Sequence, residues 1–101
     1  MNTWRLAATN THLYPGARLR PLDAPDLRAQ LRTGDPIAIE FADQGMAQGE
    51  AVQVLPQGWQ LKVQAHTTAR GTTVAARSWQ VLWLPRDQGE EGGMKIKARA
   101  A

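Results

Sequence analysis

Acid, base or nucleophilic chemistry near neutral pH needs a small set of side chains, and this 101-residue chain has few of them. Its histidines are His12 and His66. Neither has a second His, Asp or Glu at a metal-ligating spacing, so each reads as a surface side chain. Ser78 is the only serine, and its neighbours Arg77 and Trp79 are not the glycines of a nucleophile elbow. Glu40, Asp43 and Glu50 fall around one loop. Paired carboxylates do acid–base work, but carboxylates spread around a loop chiefly solvate it. No glycine pattern of the phosphate-binding type occurs. With no Cys there is no disulfide and no thiolate metal site. The expectation is a protein that is not an enzyme and that carries no metal and no cofactor.

Recognition by charge is the chemistry that remains. The formal net charge is +3. From Ala51 to Arg86 there is no acid, while Lys62, Arg70, Arg77 and Arg86 fall inside that stretch. A positive field of this kind attracts phosphate backbones or acidic proteins, although a solvated strand face is its plainest meaning. The candidate binding set is Lys62, Gln64, His66, Arg70 and Arg77. Small β-barrels bind single-stranded nucleic acid by laying a basic sheet face under the strand and stacking bases on exposed aromatics. The basic residues are present, but Trp59 and Trp79 fall on the dry side. Lys95, Lys97 and Arg99 offer further phosphate contacts or a solubilising end.

A second surface is apolar. Leu82, Trp83 and Leu84 give more apolar area than a one-sided sheet needs, and either the N-terminal strands or a second copy of the chain covers it. Two functions follow. One is a non-catalytic binding or assembly module that contacts a protein partner or its own copy, with Leu82, Trp83 and Leu84 as the interface. The other is a nucleic-acid-binding accessory protein that uses the basic face of the hairpin spanning 59–84.

The elements that position these residues are mostly strands. Trp59, Leu61, Val63 and Ala65 alternate with Gln60, Lys62, Gln64 and His66, the period of a strand with one dry face. Thr68-Ala69-Arg70-Gly71-Thr72 suits a three-residue hairpin loop, with Gly71 in the left-handed conformation. Counting back from a Thr68–Thr72 pair sets Ala65 against Ala75, Leu61 against Trp79 and Trp59 against Val81. Val63 then faces Arg77 on the dry side. A bulge near Ala75-Ala76 resolves this, or else Arg77 lies at an edge with its stem packed and its head in water; the bulge is the preferred solution. Ile37, Ile39 and Phe41 mark an earlier strand, residues 43–49 a loop with two glycines, and Val52 and Val54 another strand. One or two short strands are expected before Leu22. A short helix is expected over residues 24–33, capped by Asp23, with Leu27 and Leu31 on one face and Gly34 as its stop.

Length indicates one domain, a β unit over residues 1–85 followed by a flexible polar tail over 86–101. The expected fold is mainly β, a small antiparallel barrel or bent sheet of SH3-like architecture with five or six strands. No segment approaches the ~20 apolar residues of a membrane span, so a cytoplasmic protein with no membrane partner is expected. Nine Arg against three Lys, with frequent Ala, suggests a GC-rich bacterial coding bias.

Overall fold

Strand alternation carries through most of the chain and closes it into a barrel. The computed structural model describes residues 3–22, 26–84 and 93–99. Among these lie β1 (Trp4–Ala8), β2 (Arg18–Pro21), α1 (Leu27–Gln30), β3 (Pro36–Glu40) and β4 (Met46–Leu55). They are followed by β5 (Gly58–Val63), β6 (His66–Thr67), β7 (Thr73–Val74), β8 (Arg77–Trp83) and β9 (Met94–Arg99). Seven strands form the barrel in the order β1-β2-β9-β8-β5-β4-β3, and β6 with β7 forms a separate two-stranded ribbon. The mainly β, antiparallel class is as expected, with seven barrel strands instead of five or six. Only the closing pair, β1 with β3, is parallel. The intervening β2 and α1 give that crossover the length a parallel connection requires. Closure removes the open edges on which sheets aggregate.

Apolar residues point inward from every barrel strand. Leu6, Leu19, Ile37, Ile39, Leu61, Val81, Met94 and Ile96 are all fully buried. Trp59, Trp79 and Trp83 join them. The Trp59 indole N–H donates to Met94 Sδ at 3.4 Å, so its polar edge is not left bare.

The register of the long hairpin is the one read from the residues. Trp59 pairs with Val81, Leu61 with Trp79 and Val63 with Arg77. The same count continues through His66–Val74 and Thr67–Thr73. Gly71 has φ +88° and closes the loop. The preferred bulge near Ala75-Ala76 is not there. Arg77 instead opens β8 at the end of the barrel, exposed, with its guanidinium 5.8 Å from the Trp79 ring centre. Breaking a long register costs paired hydrogen bonds, whereas a packed stem with a solvated head costs little.

Three other expectations are corrected. Met94–Arg99 belongs to the polar stretch read as a tail, yet it is β9, inserted between β2 and β8. Met94 and Ile96 are buried and Lys95 and Lys97 exposed, an alternation too short to stand out beside two glycines. Residues 86–92 and 100–101 of that stretch lie outside the described residues.

The helix is also shorter than expected. It covers only Leu27–Gln30, because Leu31 turns to ψ 133°. The Arg32 N–H then goes to Asp35 Oδ2 at 2.9 Å and Gly34 adopts φ +93°, which turns the chain into β3. Leu27 and Leu31 are still both in the core. The Asp23 cap falls outside the described residues.

The third correction concerns Gly49, which is not a loop glycine. It lies inside β4, where a Cβ would sit 2.3 Å from the Lys62 carbonyl oxygen. Val52 falls where the β4–β5 register shifts and is exposed; Ala47 and Ala51 are the buried residues of that strand.

Candidate functional site

Two surfaces of this barrel gather the candidate residues. The first is the outer wall of β2, β9 and β8. Strand alternation turns Arg18 and Arg20 outward from β2, and Lys95 and Lys97 outward from β9. Arg18 and Lys95 are register partners, so these cations form one patch on adjacent strands. No acidic residue occurs on β2, β9, β8 or β5. A shallow groove of about 250 Å³ runs beside the patch, where Lys97 meets Gln60, Gln80 and Leu82. A shift in the β8–β9 register at Gln80/Val81 leaves Lys97 as the extra residue and brings it to the groove.

The second surface is a pocket of about 440 Å³ at one end of the barrel, under the β6–β7 ribbon. It exists because the ladder pauses. Residues 64–65 and 75–76 lie outside the strands, and the ribbon resumes beyond the barrel rim. His66 stacks on Phe41 with ring centres 5.9 Å apart, which ties the ribbon to the segment after β3. The space left beneath is lined mostly by apolar surface, with Val63, Val74 and Trp79 in it and Arg70 and Arg77 among the polar groups.

The five sequence-predicted binding residues therefore do not share one face. Lys62 is exposed on β5, and its register partner on β4 is Glu50, which offsets its charge. Gln64 is exposed where the ladder pauses. His66 is half-buried against Phe41 instead of free on a wet face. Only His66, Arg70 and Arg77 are brought together, around the pocket.

The apolar segment resolves within the chain. Trp83 is 9% exposed, with its ring centre 6.4 Å from that of Trp59 and the Arg28 guanidinium 6.0 Å from its own. Leu82 and Leu84 are half-buried. Sequence reasoning missed Arg18 and Arg20 as partners of the basic C-terminal cluster. The signal was present in Arg18-Leu19-Arg20 and Lys95-Ile96-Lys97, two short alternations of the same kind. Their pairing spans most of the chain.

Among the described residues no polar side chain is buried, and no three of His, Cys, Asp and Glu gather in one place. Among them, too, no helix is long and apolar enough to cross a membrane. Comparison with family models, with curated proteins and with solved structures finds no match to this chain.

Proposed function

We propose that the protein is a non-catalytic binding module that takes a single-stranded nucleic acid along the β2–β9–β8 wall. One observation carries the reading: Arg18, Arg20, Lys95 and Lys97 lie on two adjacent strands, in a run of four barrel strands without an acid. Phosphate neutralisation needs cations spaced along a surface. The groove beside Lys97 supplies glutamine amides and Leu82 for bases to lie against. This moves the cations of the basic face from the 59–84 hairpin to β9, which lies beside its β8 strand, and to β2 beyond it. A cytoplasmic, bacterial setting goes with the proposal.

The assembly reading is less well supported. Its anchor, Trp83, is covered by Trp59 and Arg28 of the same chain.

The test is binding of a labelled single-stranded oligonucleotide over a salt series. Four contacted phosphates at ~0.7 each predict a log–log slope of about −2.8. Lys95→Gln with Lys97→Gln halves that to about −1.4. No binding at low salt, or a slope indifferent to both substitutions, overturns the proposal.

A further inference from the structure

The pocket under the β6–β7 ribbon has no part in the nucleic-acid reading, since none of Arg18, Arg20, Lys95 and Lys97 lines it. At about 440 Å³ it lies within the roughly 300–1,000 Å³ of small-molecule sites. Its interior is apolar: Val63 is 3% exposed and Trp79 6%, and Leu13 and Val74 close the walls around them. Charge enters through Arg70, at the ribbon tip, and Arg77. Neither arginine pairs with an acid among the described residues. Arg77 is held over the Trp79 ring, where the cation–π contact keeps its guanidinium beside the apolar wall. Among the described residues the one acid at the pocket, Asp43, already accepts the Gly45 N–H at 3.0 Å through Oδ1.

An apolar interior with two arginines selects a specific chemistry. A neutral apolar guest leaves both guanidiniums unused, and a polyphosphate finds too little polar surface to replace its water. A carboxylate on an apolar body satisfies both halves, because guanidinium matches carboxylate with two parallel hydrogen bonds. We propose that this pocket binds a small organic carboxylate, its apolar body against Val63, Val74 and Trp79 and its carboxylate at the Arg70–Arg77 side. The ribbon is the element that makes the site. His66 stacked on Phe41 holds it over the barrel end, and the tip passes close to the turn after β3, where a Cβ on Gly45 would lie 3.7 Å from the Ala69 nitrogen.

The experiment uses the full chain, isotopically labelled, titrated with hexanoate and phenylacetate and separately with the neutral hexanamide and phenylacetamide. The expected result is saturable movement of the Trp79 indole N–H and the Val63 and Val74 methyl resonances at millimolar acid. Each amide should bind at least about tenfold more weakly, the equivalent of 1.4 kcal/mol. Arg70→Gln with Arg77→Gln, both exposed positions, should remove that tenfold preference and leave amide binding unchanged. Three results overturn the proposal: no saturable shifts, equal binding of acid and amide, or shifts that map to the β2–β9 wall. Because the wall substitutions and the pocket substitutions share no residue, failure of one reading leaves the other intact.

Discussion

Replacing Ile96 with alanine should distinguish a strand from a tail in one measurement. Ile96 is fully buried, pairs with Val81 across the β8–β9 ladder, and accepts the Gly16 N–H at 2.7 Å while its own N–H donates to Ala17 O at 2.8 Å. Truncating a buried aliphatic side chain to Ala removes about 2–5 kcal/mol. A domain of this length holds about 5–15 kcal/mol in all. Each kcal/mol moves the melting temperature of a small domain by roughly 4–8 °C, so Ile96→Ala should melt at least about 8 °C lower. Its neighbours Lys95 and Lys97 are exposed, and alanine there should change stability by no more than about 0.5 kcal/mol. The assay is thermal and urea unfolding followed by tryptophan fluorescence, which Trp59 and Trp83 report from beside Met94. In a solvated tail all three substitutions would be silent. If Ile96→Ala and Lys97→Ala melt together, the strand assignment and the basic wall built on it are both refuted. Removing residues 93–101 is the harsher version. It uncovers Leu19, Val81 and Trp83, opens the barrel to two free edges, and should abolish cooperative unfolding.

Three further stability outcomes follow from the structure. Gly58→Ala places a methyl 2.0 Å from the Val81 carbonyl oxygen and 3.1 Å from the Leu82 Cα, both backbone, so the β5–β8 ladder must part. The loss should reach or exceed the upper end of about 1–3 kcal/mol. Gly34→Ala, with φ +93° and open space around it, should lose only about 1–2 kcal/mol for its left-handed backbone. Equal urea midpoints for the two would contradict the close approach at Gly58. Trp83→Ala should lower stability by about 3–5 kcal/mol. A variant that stays as stable as the parent but loses self-association would return Trp83 to the surface as an interface residue.

The long hairpin was legible because its information is local. The loop Thr68-Ala69-Arg70-Gly71 sets one pair, and from it the partners of both ladders follow by counting, although Ala65 and Ala75, also expected to pair, fall in the break between them. The placing of Leu27 and Leu31 on one buried face was legible for the same reason: two residues four apart share a side of any single helical turn. Val52 misled because β-branched character marks a strand without saying which of its residues face inward. Alternation gives the inner positions of β4 to Ala47 and Ala51 and turns Val52 outward, and the register shift that follows returns Val54 toward the core.

The candidate sites were only partly legible. His66, Arg70 and Arg77 were chosen as a basic face, and they converge on a pocket because the ladder stops after Val63 and the ribbon leans onto Phe41. Alternation cannot report where a ladder stops.

By itself, then, the order of residues determined the β class, the hairpin register, the tryptophan core and the cations available for binding. Each of these depends on a turn, a period or a composition that a few neighbouring residues carry. Only the tertiary structure decided that β9 enters between β2 and β8, that β1 closes on β3, and that Arg18 and Arg20 lie beside Lys95 and Lys97. Those pairings join residues far apart in the chain. They are selected by the burial of Met94 and Ile96 against Leu19 and Val81, a gain that exists only once the rest of the barrel is in place.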